Sequence, residues 1–586
     1  MSANLQLAAL FSEIADLNEL NEANPFRIRA FRRASATLEG LEEDIAERAE
    51  AGTLTDIEGI GTDLAARIEE YLETGTIGEL ERLRLQTPPV LVAMTKIPGL
   101  GPKKALKLRA ELGLESLDEL EAACRRGEVA ALKGFGEKSA QNILDGIAFA
   151  RRVAERRPLG SALPRAEEVV EALAAHDAVE SVSLAGSIRR MKETVKDIDL
   201  VAGSTSPETV MEAFTTGPWA ARILAEGPTK SSLRTPDEMQ IDLRVVEPEV
   251  FGAALMHFTG SKEHNIRLRE MAARRNIKIN EYGIFDVGGL SEKAREDPRA
   301  GRRLSAATEA ECYTALGLPF IPPELREDSG EIAAAAQNTL PELIEPGDIR
   351  GELHAHTDAS DGHQTLEELI EACRARGYAY LAVTDHSGSL TIANGLDADR
   401  MRWQIDRVRE ANEHYNDIEV LVGTEVDILR DGSLDYPDEL LAELDLVIAS
   451  VHTAFRLDAG EQTARICRAM ESEHVFAVGH LTGRMLGERE AYPLDVEAVI
   501  ETAARTGTAL EINANPRRLD LGDRHARLAR TAGVDIVICT DAHRPAHLDF
   551  MDYGVRVARR AWLEAADVLN TRPPGELLAA LARKRT

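Results

Sequence analysis

Residues 351–362 read GELHAHTDASDG: an apolar start, two histidines one residue apart, then a polar loop carrying Asp361. His354 and His356 are two of only 14 histidines in 586 residues, and eleven of those 14 lie between 354 and 547. Ligand-type residues recur directly after apolar runs. YLAVTDH ends at His386, VLVGTE at Glu425, LVIASVH at His452, VFAVGH at His480, and IVICTDAH at Asp541 and His543. Strand after strand closing on such a residue predicts a barrel with its site at the strands' C-terminal ends, where βα loops converge. These nine nitrogen and oxygen ligands include no cysteine. Nine are too many for one tetrahedral zinc and enough for three ions sharing bridging carboxylates. Imidazole with carboxylate favours Zn²⁺, Mn²⁺ or Fe²⁺ over Mg²⁺. His363 is expected near a helix start with Thr365 and Glu368 as its capping box. His414, His474, His525 and His547 have no strand-end placement and read as structural or surface residues. Glu511, Asn513 and Asn515 in EINANP end another strand and are expected to line a substrate cleft.

Upstream, residues 322–348 (PPELREDSGEIAAAAQNTLPELIEPGD) are rich in Pro, acid and Ala and are expected to form a linker. Before them, VSLAGSIRRMKETVKDIDLVAG (182–203) holds two apolar strands around a polar loop, and IDLRVV (241–246) supplies a third strand. Asp197 and Asp199 form D-x-D, so strand periodicity puts both carboxylates on one face. Asp242, on a strand of similar character, could complete a three-carboxylate cluster. Three close acids repel unless a hard cation binds between them, and oxygen ligands suit Mg²⁺. Two such ions ~4 Å apart stabilise attacking and leaving oxygens in phosphoryl transfer. Gly186, Ser187, Arg189 and Arg190 could seat a triphosphate through backbone N–H, hydroxyl and guanidinium groups. A lone D-x-D is more often a solvated surface, but combined with GS-x-RR it reads as nucleotidyl transfer.

The first 156 residues read as short helices joined by glycine turns. One pattern recurs in IEGIGTDLAARI (57–68), IPGLGPKKALKL (97–108) and LKGFGEKSAQNI (132–143). Each glycine pair (Gly59 and Gly61, Gly99 and Gly101, Gly134 and Gly136) permits a tight turn that aims N–H groups and the next helix outward as an anion site. Lys103 and Lys104 follow the second pair. Plain helix packing with glycine caps would explain one copy, whereas three favour phosphate contact.

Composition sets a tension. The formal net charge is −31, a field that repels DNA unless basic patches are local. Arginine outnumbers lysine, and so acidic a surface would suit a high-salt cytoplasm. Hydrophobic content of 44% allows sizeable cores. The five cysteines, Cys124, Cys312, Cys373, Cys467 and Cys539, are scattered and never in CxxC spacing, which excludes a disulfide framework. No apolar run would span a bilayer, and acids interrupt the apolar pattern of the first 20 residues. A cytoplasmic protein that engages no membrane is the expectation.

Residues 5–320 resemble the family X DNA polymerases, the group containing DNA polymerase beta. The motifs GSIRR, DID, QIDLR, HFTGSKEHN (257–265) and INEYG (279–283) come in that family's order. The resemblance implies that Asp197, Asp199 and Asp242 hold two Mg²⁺ and that Ser187 and Arg190 bind the incoming deoxynucleoside triphosphate. It further implies Phe258 and Gly260 along the sugar, Asn265 at the base's minor-groove edge, and Arg269 near the template strand. Two departures stand out. His257 replaces the family's usual Tyr, a position that bears on ribonucleotide discrimination. Arg67 stands where polymerase beta has its Schiff-base lysine, and arginine stays protonated, so no lysine-based lyase activity is expected there. Arg29, Arg32, Arg33 and the glycine turns keep a DNA-binding role for that segment.

Residues 350–545 resemble the polymerase and histidinol phosphatase (PHP) family of metal-dependent phosphoesterases, through HAHTDASDG, TDH, GTE, SVH, GH and TDAH in order. This resemblance implies a distorted seven-stranded barrel with three ions, Mn²⁺ or Zn²⁺, that hydrolyses phosphate esters. The expected fold is multidomain α+β. Its parts are a helical DNA-binding domain (1–82), a helix–hairpin–helix subdomain (83–156), a nucleotidyltransferase palm (157–255), a thumb (256–321), the linker (322–348) and the barrel (349–575).

The expected function is a monomeric repair enzyme that fills short gaps on primer–template DNA and degrades 3′ ends as a 3′→5′ exonuclease, including blocked or abasic termini. Local clusters such as Lys103, Lys104, Arg189, Arg190 and Arg267 would confine DNA to grooves, and binding would depend strongly on salt. Two readings compete: a polymerase fused to a small-molecule phosphatase, and a non-catalytic scaffold for DNA ends. Release of short products from a labelled 3′ end would exclude the first. Template-dependent extension lost on Asp199→Ala would exclude the second.

Overall fold

The computed structural model describes residues 3–583 apart from 22, 41–44, 58, 96, 98 and 99. It divides into two compact units, residues 1–155 and 156–586.

The described part of the first unit is helical, from Ala3–Leu20 to Glu137–Glu155. Its core gathers Leu7, Phe11, Ile14, Phe31, Leu38 and Ile68, with the Phe11 and Phe31 rings edge-on at 5.4 Å. Gly59 and Gly134 sit at φ 91° and 89°, a left-handed geometry that glycine adopts without steric cost. Gly61 then caps the helix Thr62–Thr74 and Gly101 caps Pro102–Leu112, while Gly136 directly precedes Glu137–Glu155. Each turn therefore leads into a helix N-terminus. Lys103 and Lys104 are exposed on the second of these, and Gly99 lies outside the described residues. Arg67 is bound at 2.6 Å by Glu79 and 2.7 Å by Asp63, so its guanidinium is fixed within the domain.

The second unit starts with a five-stranded sheet of β1 (Ser181–Leu184), β2 (Asp197–Gly203), β3 (Arg222–Ala225), β4 (Lys230–Arg234) and β5 (Gln240–Val246), in the order β1-β2-β5-β4-β3. In β2 and β5 the alternate residues Ile198, Leu200, Ile241 and Leu243 are buried in one cluster, each worth ~1.5–3 kcal/mol of burial. That alternation turns Asp197, Asp199 and Asp242 to the opposite face. A thumb follows, with helices Phe251–Thr259 and Lys262–Ala273 and an antiparallel meander of β6 (Ile277–Asn280), β7 (Gly283–Asp286) and β8 (Arg302–Ser305).

Residues 322–348, expected as a linker, are instead structured and packed. Arg326 is fully buried, donating to Glu309 at 2.6 Å and to the Ile321 carbonyl at 2.8 Å beneath the Tyr313 ring. Glu331 is also fully buried, 2.6 Å from His264. A run of Pro, Ala and acid looks like a spacer because buried ion pairs leave no periodic apolar signal.

The last part is a parallel barrel of β9 (Gly351–Ala355), β10 (Tyr380–Val383), β11 (Glu419–Asp427), β12 (Leu446–Ser450), β13 (Ala477–Val478), β14 (Ala509–Asn513) and β15 (Ile536–Cys539), paired in chain order. A bridge from Ala355 to Ala542 brings the two edges together and nearly closes it. These strands are buried on both faces, which is why they read as continuous apolar runs rather than alternations. The Thr365–Glu368 capping box forms at the start of the helix Leu366–Ala375. Among the described residues, no helix is long and apolar enough to cross a membrane.

Two candidate metal centres

In the palm, β2 and β5 are parallel and pair Asp199 with Asp242, with Asp197 one strand repeat away on the same face. The Gln240 amide donates to both Asp242 oxygens at 3.1 Å. The turn that opens the GSIRR motif lies against this cluster. Gly186 has φ 57°, and a Cβ there would run into the Asp199 carboxylate, so only glycine lets the backbone approach so closely. Burial, reinforced by the charges of Asp197 and Asp242, pushes the Asp199 carboxyl up to about 7. Burial and Asp242 also raise Asp197. Between about pH 4 and pH 7 the folded, cation-free protein keeps an Asp199 proton that the unfolded chain has lost, so this group lowers stability as pH rises through that window. A cation must displace that proton. Divalent-cation affinity at this cluster is therefore expected to fall below about pH 7, by up to about tenfold per unit for one proton. Metal-binding titrations at about pH 6 and about pH 8 check this, and equal midpoints would contradict it.

Around this triad, Ser187 is half-buried on the Gly186 turn. Arg190 is 9% exposed, with Nε on Glu327 at 3.0 Å and Nη1 on the Thr259 carbonyl at 2.6 Å. Its guanidinium thus reaches the Thr259–Gly260 turn through protein contacts. Phe258 stacks under Arg244 at 4.5 Å. The Asn265 amide donates to the His257 carbonyl at 2.7 Å, and exposed Arg269 lies 3.2 Å from the His257 ring.

In the barrel, the nine sequence-selected residues converge at the strands' C-terminal ends. Eight fall into three groups whose ligand atoms lie within 4.8 Å of one another: His356, Asp361, His386 and His543; His354, His356 and Asp541; His386, Glu425 and His452. The ninth, His480, places Nε2 2.9 Å from Glu425. Glu425 is the hub, with His386 at 2.9 Å, His452 at 3.3 Å, His354 at 3.4 Å and His356 at 3.6 Å. The donor set fits divalent cations. His354 Nε2, both His356 nitrogens, His386 Nδ1, His480 Nδ1 and Glu425 Oε2 are buried and make no hydrogen bond, a costly state unless those lone pairs serve a metal. Burial, then the neighbouring His543 and His386, pull His356 down to about 3, which keeps it neutral as a ligand. His480 and Asp541 have φ of 26° and 54°, backbone strain of the kind that collects at functional sites.

Behind the ligands lies a set of buried acids that the strand-end pattern did not select for this role. Glu511 accepts from His354 Nδ1 at 2.7 Å and from the His480 backbone at 2.5 Å. Asp427 accepts from His452 Nδ1 at 2.5 Å. Asp385 accepts from Ser360 at 2.6 Å and from the Thr357 backbone and hydroxyl, holding the loop that carries Asp361. Of the three residues expected to line a cleft, Glu511 and Asn513 are fully buried and Asn515 is half-buried, and the Asn513 amide donates to Glu511 at 3.3 Å and to Asp541 at 3.2 Å. A signal existed for Asp427: in GTEVD it stands two residues after Glu425, on the same strand face. Glu511→Ala is expected to weaken metal binding ~10–100-fold by freeing the His354 ring, which a metal-buffered titration followed by atomic emission would measure.

Comparison with known proteins places the chain in a lineage. Family models match for the DNA polymerase beta thumb over residues 254–327 and for the PHP domain over 352–515. Residues 2–77 match a helix–hairpin–helix domain, and 91–148 a SAM-like helix–hairpin–helix tandem. The DNA polymerase/3′-5′ exonuclease PolX of Bacillus subtilis is 41% identical over 576 residues, 98% of this chain and 98% of that protein. The chain belongs to the PolX family. Part of the chain also has separate relatives. A probable phosphatase of Thermoanaerobacter sp. is 30% identical over 37% of this chain and 89% of its own length, and one from Clostridium acetobutylicum is 29% identical over 33% and 78%.

Proposed function

We propose that this chain is a DNA-directed DNA polymerase of the gap-filling, repair type that also removes nucleotides from 3′ ends as a 3′-5′ exonuclease, with one centre for each reaction. The observation that carries this reading is the 41% identity over 98% of both chains with a protein named for both activities. The probable phosphatases match only about a third of the chain, whereas the protein named for both activities matches 98% of it, which favours a 3′-end nuclease over a small-molecule phosphatase as the polymerase's partner activity.

In the palm, Asp197, Asp199 and Asp242 would hold two Mg²⁺. The Gly186 turn and Ser187 seat the triphosphate, Arg190 orders the Thr259–Gly260 turn beside it, and Phe258 and Asn265 bound the sugar and base. In the barrel, His354, His356, Asp361, His386, Glu425, His452, His480, Asp541 and His543 would hold Mn²⁺ or Zn²⁺, three ions in all. Bound at either centre, divalent cations supply Lewis acidity at phosphorus and, in the barrel, activate water. The chain's own residues orient the ligands: Glu511 fixes His354, Asp427 fixes His452, and Asp385 fixes the Asp361 loop. The glycine turns at 59–61, 99–101 and 134–136, with Lys103, Lys104 and Arg269, contact DNA phosphates. These local basic points let an acidic, monomeric, cytoplasmic protein hold a gapped substrate. A gapped duplex with a labelled primer tests the reading. Lengthening is expected with deoxynucleotides and shortening without them, and a primer left unchanged in both conditions would refute it.

A further inference from the structure

Beside the barrel centre, three loops that follow β12, β13 and β14 bring together one aromatic ring and two arginines that the ligand set does not use. Arg518, on the loop after β14, has a side chain 18% exposed and lies 3.6 Å from Asp541. Its guanidinium makes no hydrogen bond among the described residues. Its backbone is held, because Arg484 donates to the Arg518 carbonyl at 3.0 Å. Arg489, on the loop after β13, lies 4.6 Å over the Phe455 ring, which is on the loop after β12. Phe455 in turn stacks on Tyr492 at 6.0 Å and 22°. Arg489 makes no ion pair among the described residues. Its Nε donates to the Gly483 carbonyl at 2.9 Å, one residue before the Arg484 that holds the Arg518 backbone, so both arginines are anchored to one loop segment.

Arg518 has only Asp541, at 3.6 Å, and Arg489 has no ion pair among the described residues, so this side of the centre carries cationic charge that an anion would neutralise. Asp541 cannot serve Arg518 for long, since it belongs to the ligand set and a cation bound there competes for the same oxygens. A phosphate at the centre satisfies both. Arg489 lies over Phe455 and is half-buried, and nucleic-acid bases stack on aromatic rings and arginine planes alike.

We propose that Arg518, Arg489 and Phe455 form the subsite for the last nucleotide of a DNA strand at the barrel centre, Arg518 taking its phosphate and the Arg489–Phe455 stack its base. This rests on the 3′-end nuclease reading and adds the part of the substrate that the barrel grips. The test measures binding without turnover in the full-length protein loaded with Mn²⁺. Calorimetry compares deoxythymidine monophosphate with deoxyribose 5-phosphate, which lacks the base. Arg518→Ala is expected to weaken both ligands about tenfold or more while bound Mn²⁺ and primer extension stay unchanged. Arg489→Leu and Phe455→Leu are expected to erase most of the advantage of the nucleotide over the sugar phosphate, about fivefold or more. Unchanged binding of both ligands in Arg518→Ala, or an undiminished base advantage in the other two, would overturn the proposal. A parent protein that binds both ligands yet degrades no DNA 3′ end would sink the nuclease reading alone.

Discussion

Asp199→Ala is expected to abolish primer extension, by about 10³-fold or more, because it removes one of three carboxylates that concentrate cationic charge on the reacting phosphate. The expectation comes from geometry. Asp199 pairs in register with Asp242, and the Gly186 turn presses its backbone against the Asp199 side chain. No other acid in β2 or β5 shares that face except Asp197. Alanine leaves the apolar face of the sheet untouched, so the fold should survive. Single-nucleotide insertion on a gapped duplex reads the effect, while removal of 3′ nucleotides should continue at the parent rate. Insertion within about tenfold of the parent rate would contradict the triad assignment.

Glu425→Ala is the second large effect. Its carboxylate is 99% buried and meets five imidazoles. Burial alone would raise its pKa, but His452, His386 and His354 outweigh that and hold it well below the ordinary carboxylate range. Removing it leaves His354 and His386 without a shared anion. Bound metal should drop by at least one ion, and 3′-end degradation by about 10³-fold or more, with extension retained. Glu425→Gln, which keeps the shape and loses the charge, should behave alike. Full metal content in both variants would remove Glu425 from the ligand set.

Much of this was legible before any coordinates. Apolar runs ending in His386, Glu425, His452, His480 and Asp541 announced both the parallel barrel and the convergence of its loops, because a strand's end fixes where its last side chain points. D-x-D with a third aspartate announced one carboxylate face for the same reason of period two. What stayed hidden follows from the same physics. Asp385 and Glu511 act through hydrogen bonds to residues distant in sequence, and no local period reports such a partner; only Asp427, two residues after Glu425, left a local trace. Arg326 and Glu331 are buried by pairing with Glu309 and His264, so their stretch carries the composition of a linker and the packing of a core. Arg518 and Arg489 sit in irregular loops, where position depends on the scaffold that holds them.

The central claim is that one chain lengthens and shortens the same 3′ end at two separate centres. The most direct measurement runs Asp199→Ala and His354→Ala side by side on one labelled gapped DNA with deoxynucleotides and Mn²⁺. The account predicts only shortening from the first and only lengthening from the second. If either variant loses both reactions, or if each retains both, the two-centre assignment is wrong.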